Sequence, residues 1–153
     1  MDVKHVNPFI ESFTAVMPQL GFENIQRGNL GLKGKDLICN GVIIIVGIVG
    51  EIKGNVVYCI DMEHAKKIAS TMMMGMPVDE LDDMSRSALG ELTNMLTANA
   101  ATGFFNLGIT IDISTPTLLY GDNIAVNMSS NQVLSIELFA DEHPIEINIA
   151  FEN

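Results

Sequence analysis

The chain has 153 residues and a mass of 16.6 kDa, the size of one ordinary domain. Its 8 basic and 19 acidic residues give a formal net charge of −11, and hydrophobic residues make up 48%. This composition excludes a disordered chain, and so acidic a surface repels phosphate backbones and anionic lipid. We therefore expect a single folded domain over 1–153, with neither nucleic acid nor a membrane as its partner.

The cysteines and the N-terminus indicate the compartment. Cys39 and Cys59 each lie in an apolar stretch, without a CxxC motif or a cysteine–histidine cluster. Isolated cysteines of this kind are typical of buried, reduced thiols in cytosolic proteins. The N-terminus lacks the basic start and apolar run of a signal peptide, and the longest apolar run, Val42–Val49, is too short to cross a bilayer. We expect a soluble, cytoplasmic protein with both thiols reduced.

The first half of the chain predicts one helix and then strands. The helix is predicted over Asn7–Leu20, because apolar side chains recur on one face and a proline suits its first turn. Asn7 or Asp2 is the candidate cap. Strands separated by glycine-rich turns at 28–31 and 50–54 are then predicted over Phe22–Arg27, Leu37–Ile48 and Asn55–Ile60.

Two helices and a further set of strands follow. Asp61 caps a predicted helix over Met62–Met74, and a longer helix is predicted over Asp79–Leu107. The remaining segments alternate apolar and polar residues and predict strands: Thr110–Ser114, Thr117–Tyr120, Ile124–Met128, Val133–Ala140 and Ile145–Glu152. This order favours an α+β domain in which helices pack on a mostly antiparallel sheet.

Familiar catalytic and metal-binding motifs do not occur in the sequence. There is no P-loop, no GxGxxG after a strand, no HExxH and no GxSxG elbow. His5, His64 and His143 are far apart in the sequence, which favours surface or capping roles over metal ligation. The methionine cluster, Met72–Met76, is compatible with an adaptable binding surface, but helix core is the favoured interpretation. No metal site is expected.

The long helix carries a polar stripe. At about 100° per residue, Ser87, Glu91 and Asn94 fall within about 60° of one another. The apolar side chains of the helix cluster away from this stripe and form the predicted core face: Leu81, Ala88, Leu89, Leu92, Met95 and Leu96. Asn99 points to that core side, where we expect it to satisfy buried backbone groups.

Small residues flank the polar stripe: Gly90, Thr97, Ala98 and Ala101. Gly90 costs the helix about 1 kcal/mol relative to alanine. A solvated face normally carries long charged side chains, whereas small residues let another body approach the helix closely. The sequence leaves open whether that body is a partner or another part of this protein or its dimer.

This pattern resembles a known family. Ser87-x-x-x-Glu91-x-x-Asn94, followed by Pro116 at a strand start, resembles the signature of the CheC/CheX/FliY phosphatases of bacterial and archaeal chemotaxis. The resemblance includes Glu91-Leu-Thr-Asn94-Met-Leu and the Gly50-Glu-Ile-Lys-Gly54 hairpin, and it covers nearly the whole chain. Its length and single site most resemble CheX.

The resemblance implies a long, mostly antiparallel sheet packed with helices, a pseudo-duplicated domain, and a homodimer formed through sheet edges. Glu11-Ser-Phe-Thr14 in the first helix corresponds to Glu91-Leu-Thr-Asn94 in the long helix, with threonine in place of asparagine. This departure implies that the first helix is not catalytic.

The resemblance also implies a chemistry. The family hydrolyses the aspartyl phosphate of CheY, a small response regulator that binds its own Mg²⁺, so we expect no cofactor on this chain. Asn94 would orient the attacking water, and Glu91 would pair with the regulator's active-site lysine. The partner-binding residues would be Ser87, Gly90, Ala98 and Pro116.

Two other functions remain open. The first is a non-catalytic adaptor on the same fold, because the family also contains flagellar-switch components that bind without hydrolysing. The second is a ligand-binding or dimerisation module that uses the methionine cluster. An intact glutamate and asparagine favour the enzyme over both.

Overall fold

A computed structural model describes residues 3–152. A short 3₁₀ turn, Val3–Val6, leads into the first helix. The three helices are α1 (Asn7–Gln19), α2 (Met62–Met72) and α3 (Asp83–Asn106). The seven strands are β1 (Ile25–Lys33), β2 (Asp36–Gly50), β3 (Gly54–Ile60), β4 (Ile111–Ile113), β5 (Thr117–Asn127), β6 (Val133–Ala140) and β7 (His143–Phe151).

The strands form one sheet in the order β1-β6-β7-β3-β2-β4, and β5 also pairs with the long strand β2. All of these pairings are antiparallel. The strand order β1-β6-β7-β3-β2-β5 is pseudo-symmetric. If β1 is exchanged with β5, β2 with β6 and β3 with β7, the order is reversed but each strand keeps the same neighbours. One helix precedes each set of three strands, and these two helices, α1 and α3, pack together. The α+β prediction and the predicted duplication are both confirmed.

The main core lies between the helices and one face of the sheet. It includes Phe13 of α1, Leu92 of α3 and Ile44 of β2. A smaller cluster lies on the other face, because side chains alternate along β2 and place Ile43 there. The strand β2 is therefore buried on both faces, which explains its nearly continuous apolar run.

Two predicted turns lie inside strands. β1 continues through Gly28–Gly31, with a bulge between Arg27 and Leu30. β5 likewise runs through 121–123, the break predicted between two strands. Cys39 pairs with Ile124 and Gly41 with Gly121, so β5 carries the extra residue of a bulge. A Cβ at Gly41 would lie 2.3 Å from the Ile60 carbonyl oxygen, so only glycine fits there. The turn-type residues are accommodated as bulges because neighbouring strands supply their hydrogen bonds.

The predicted helix ends shift by a few residues. α3 begins at Asp83, and the Asp82 carboxylate accepts a hydrogen bond from the Ser85 backbone N–H at 2.9 Å, so Asp79 lies outside the helix. α2 ends at Met72, and Met74 beyond it is 97% exposed. The helix-core interpretation of the methionine cluster is therefore wrong at its exposed end.

The caps of the first two helices differ. Asp61 caps α2 as predicted, accepting a hydrogen bond from the Glu63 backbone N–H. The residue at the α1 cap position is Val6, which provides no side-chain hydrogen bond, so Asn7 is not a cap. Asp2, the other candidate, lies outside the described residues.

Cys39 and Cys59 are joined by a disulfide, with their Cα atoms 6.1 Å apart. The expectation of two reduced thiols is wrong. The two residues are 20 apart in sequence, but β2 and β3 are antiparallel neighbours, and both side chains lie on the same face of the sheet. Pairing between strands, rather than any local motif, brings the sulfur atoms together.

No helix within residues 3–152 is long and apolar enough to cross a lipid bilayer.

Candidate functional site

The candidate site lies on α3, and the buried side of this helix is rotated from the predicted one. The buried side chains are Ser85, Leu89, Leu92, Thr93, Leu96, Thr97, Ala100 and Phe104. Thr97 was expected beside the polar stripe but is 1% exposed, and Asn99 was expected in the core but is exposed. The hydroxyls of Thr93 and Thr97 bond to helix carbonyls one turn back, which satisfies them and permits their burial.

Thr97 connects α3 to the sheet. Its hydroxyl lies 2.8 Å from the phenolic oxygen of the fully buried Tyr58 on β3. Burial raises the pKa of Tyr58 well above its usual range, and its hydrogen bond with Thr97 only partly offsets this effect. The tyrosine therefore stays protonated, and the neutral hydroxyl pair holds α3 on the sheet.

Ser12 connects α3 to α1. Its buried hydroxyl donates to the Leu96 carbonyl oxygen at 2.6 Å. Leu96 thus contacts α1 and Thr97 contacts β3. These two residues follow Asn94 by two and three positions. These contacts hold the backbone of α3 directly behind the polar stripe.

The polar stripe points away from the core. Ser87, Glu91 and Ala98 are exposed, and Asn94 is half-buried. Ser87, Glu91 and Ala98 are open to a second molecule, whereas Thr97 and Ala101 of the small-residue surface pack within the chain. The sequence left both alternatives open, and each holds for part of this surface.

Gly90 and Pro116 meet beside the stripe. Pro116 immediately precedes β5, and a Cβ at Gly90 would lie 3.9 Å from its Cγ. The segment carrying Pro116 is tied to β2, because Ser114 exchanges hydrogen bonds with the Gly47 backbone at 2.8 and 2.9 Å. A contact of 3.9 Å would accommodate alanine, so packing inside the chain does not require glycine at position 90.

Arg86 joins the first turns of α3 to β5. Its guanidinium lies 5.7 Å from the centre of the Tyr120 ring and pairs with the Asp83 carboxylate. It is also the only lysine or arginine after Lys67 in the sequence. Sequence reasoning missed this contact. The i,i+3 spacing of Asp83 and Arg86 was a signal for the ion pair, but nothing local indicated Tyr120.

The start of α3 is strongly acidic. Asp79, Glu80, Asp82 and Asp83 are all exposed around the helix N-terminus. Hydrogen bonds from Ser85 hold the pKa of Asp82 below its usual range, so this carboxylate remains charged. A cationic partner surface would be favoured here, and an anionic one would be repelled.

Two histidines that are far apart in sequence are in contact. The Nδ1 atoms of His64 on α2 and His143 at the start of β7 are 2.9 Å apart. Burial, followed by the charges of His64 and Lys67, lowers the pKa of His143. Sequence reasoning assigned both to isolated surface or capping positions and missed the pair. Across residues 3–152, no group of three or more histidine, cysteine or carboxylate side chains is arranged to hold a metal ion.

Comparison with known proteins identifies the family. Residues 42–138 match the family described as chemotaxis phosphatase CheX. A CheY-P phosphatase CheX of Thermotoga maritima is 32% identical over 144 residues, which cover 93% of this chain and 92% of that protein. The chain belongs to the CheX family.

Solved structures agree with this assignment. A CheX–CheY–BeF₃–Mg²⁺ complex from Borrelia burgdorferi contains a chain that is 29% identical, with a TM-score of 0.83 and coverage of 99% of this chain and 100% of that one. FliY of Thermotoga maritima shares the fold at 20% identity, with a TM-score of 0.67 and coverage of 100% and 91%. The CheX fold therefore extends over the described chain, and FliY shares it.

Proposed function

We propose that this chain hydrolyses the aspartyl phosphate of a CheY-like response regulator. One observation carries the proposal: Glu91 and Asn94 project from the uncovered stripe of α3 in a chain of the CheX family. The 32% identical relative is named a CheY-P phosphatase, and the complex from Borrelia burgdorferi contains CheY.

Asn94 is the proposed catalytic residue. Its amide oxygen would accept a hydrogen bond from the attacking water, while its NH₂ group would donate to a phosphoryl oxygen. An amide does not take a proton at neutral pH, so the rate gain would come from orienting the water in line with the leaving carboxylate. The Mg²⁺ of the regulator would neutralise charge on the phosphoryl group.

Glu91 is the proposed docking residue. It lies one turn before Asn94, about 4.5 Å along the helix axis. A charge-assisted hydrogen bond from its carboxylate to a lysine beside the phosphoryl group would set the position of Asn94 along the pocket. The exposed acidic residues around the α3 N-terminus support a partner of opposite charge.

The neighbours of Glu91 and Asn94 would form the rest of the docking surface. Ser87 and Ala98 are exposed one turn beyond the pair on either side, and Gly90 lies against Pro116. Small side chains would let the helix backbone approach the rim of the regulator's pocket. The buried hydrogen bonds of Thr97 and Ser12 would keep the helix in place as it enters.

Phosphate release from a regulator charged with acetyl phosphate tests this proposal. We expect Asn94→Ala to reduce the release rate to that of the regulator alone, with an unchanged melting temperature. Asn99→Ala is the matched control, because Asn99 is an exposed asparagine elsewhere on the same helix. If Asn94→Ala and Asn99→Ala accelerate release equally, the catalytic role of Asn94 is wrong.

Glu91→Ala separates docking from chemistry in the same assay. Loss of the lysine contact should raise KM for the regulator more than it lowers kcat. A wild-type chain that binds the charged regulator without accelerating release would instead identify a non-catalytic adaptor, the alternative function that the sequence left open.

We also propose that the chain forms a homodimer through a sheet edge. Within the described residues, β1 pairs only with β6 and β5 pairs only with β2, so each leaves one strand edge unpaired. Analytical ultracentrifugation should give twice the mass of the chain, and a monomeric mass at micromolar concentration would contradict the proposal.

A further inference from the structure

Two large apolar side chains are exposed at the two ends of α3. Met84 is 59% exposed and Phe105 is 65% exposed. They lie on the same side of the helix as Glu91 and Ala98, because positions 84, 91, 98 and 105 are spaced by seven residues, or almost two full turns. We call this line of four exposed residues the α3 ridge.

The fold does not account for these two side chains. Neither Met84 nor Phe105 belongs to a core cluster of the described chain. Phe104, the residue before Phe105, is fully buried and packs against the rings of Phe9 and Phe151. Of two adjacent phenylalanines, one therefore completes the core and the other faces away from it.

The ridge is apolar at its two ends only. Between them it carries the Glu91 carboxylate and the small side chain of Ala98. Met84 and Phe105 are about 31 Å apart along the helix axis, and Asn94 lies close to the midpoint, about 15 Å from one and 17 Å from the other. The two apolar ends are thus arranged almost symmetrically around the proposed catalytic residue.

A globular partner centred on Asn94 would meet both apolar ends at the periphery of its contact surface. A globular domain of about 100–150 residues has a radius of gyration of about 13–15 Å, or an outer radius of roughly 17–19 Å. If a sphere of this radius touches a straight helix at one point, a gap opens between the sphere and the helix on either side. At about 15 Å along the helix from the contact, this gap is roughly 8 Å. Large side chains at the ends, meeting side chains of the partner, would close this gap.

We infer, on the basis of the proposed function, that the response regulator docks along the whole length of α3 and that Met84 and Phe105 are apolar anchors at the two ends of its footprint. The occupant is the regulator because the ridge is continuous with Glu91 and Asn94 and is centred on them. The anchors lie too far from Asn94 to contact the phosphoryl group. They therefore contribute to binding and alignment rather than to the chemical step.

Steady-state kinetics of Met84→Ser, Phe105→Ser and the double variant test the inference in the full chain. We expect each single variant to raise KM for the charged regulator roughly fivefold, the effect of losing part of one buried apolar side chain. The double variant should show roughly the product of the two effects, because the sites are too distant to couple. The kcat should stay within about twofold of wild type.

Ile38→Ser is the matched control. Ile38 is 63% exposed on β2, which is not one of the two strands proposed for dimerisation, and it borders Cys59 and Glu146 rather than α3, so its loss should leave KM unchanged. Salt provides a second discriminating condition. The KM increases of the two anchor variants should persist at about 0.5 M NaCl, whereas that of Glu91→Ala should shrink because exposed charges are screened.

The possible failures are distinguishable. An active wild-type chain whose KM is unchanged in the double variant overturns the inference alone. Variants that change the molar mass of the free protein assign the anchors to a second copy of this chain, which also overturns it. A wild-type chain that accelerates no phosphate release overturns the proposed function, and the inference with it.

Discussion

The two helices that begin the two halves, α1 and α3, occupy matching places in the fold but present different surfaces. Glu11 and Thr14 of α1 are exposed where α3 carries Glu91 and Asn94. The Thr14 hydroxyl donates to the Ile10 carbonyl oxygen at 3.0 Å, so its donor is used within its own helix. The asparagine amide has both a donor and an acceptor to offer a second molecule.

The neighbours of these residues differ as well. Ile10 and Pro18 of α1 stand where α3 has Gly90 and Ala98. α1 has 13 residues and ends one turn after Thr14, whereas α3 has 24 and extends about three turns beyond Asn94. The sheet and helices are duplicated, but the docking surface is not. Only α3 combines small side chains with the length that close docking requires.

The largest effect on the phosphatase rate is expected when Asn94 of α3 is replaced by threonine, the residue that α1 carries at the matching position. Asn94→Thr should lower the phosphatase rate about 100-fold, because the hydroxyl would bond to the Gly90 carbonyl and leave the water unoriented. Single-turnover phosphate release measures this loss, with Asn99→Thr as the control for a threonine in the same helix. A threonine variant with the wild-type rate would show that the amide is not what distinguishes the two helices.

A smaller effect is expected where the two halves meet at His64 and His143. The short Nδ1–Nδ1 contact allows one proton between the rings, and a second would place two N–H groups head to head. Because burial and the charges of His64 and Lys67 lower the pKa of His143 in the folded state, the unfolded chain binds more protons. Asp141 and Glu142 oppose this shift only in part.

The pair should therefore stabilise the fold fully above the ordinary histidine pKa of about 6.5, and this contribution should disappear as the pH falls. Urea unfolding at about pH 7.5 and 5.5 should show a larger loss of unfolding free energy for wild type than for His64→Gln. If wild type and His64→Gln lose the same unfolding free energy between the two pH values, the histidine pair is not the source of this pH dependence.

The smallest effect on the phosphatase rate is expected when Thr14 of α1 is replaced by asparagine, the residue that α3 carries at the matching position. Thr14→Asn in the Asn94→Ala background should restore less than a twofold acceleration, because Ile10 and Pro18 still keep a partner away from α1. The same phosphate-release assay measures it. Recovery of a substantial rate would mean that a single amide suffices on either helix and that the surrounding surface matters little.

Much of the fold could be predicted from local patterns. The apolar run Leu37–Ile48 predicted most of β2, and Asp61 predicted the start of α2. The turn residues at Gly28–Gly31 and the predicted break at 121–123 were misleading, because β1 and β5 accommodate them as bulges. Strand boundaries depend on pairing with residues far away in the sequence, which no local window contains.

The stripe itself was predicted correctly, but its surroundings were not. Thr97 and Asn99 exchanged the roles expected of them, because a threonine can satisfy its hydroxyl inside its own helix and be buried, whereas asparagine is the more costly residue to bury. The Cys39–Cys59 disulfide and the histidine pair were missed for a different reason. Each joins elements whose proximity is set by the sheet order and the packing of α2.

The sequence by itself determined that Ser87, Glu91 and Asn94 share one side of α3, since helical periodicity is a local property of consecutive residues. Only the tertiary structure decided that Glu91 and Ser87 are exposed, that Tyr58 and Ser12 hold the helix from behind, and that Met84 and Phe105 are exposed on the same side. The reason is physical. Which side of a helix is buried depends on the free energy of packing against the rest of the chain, and that packing is not encoded in the helix alone.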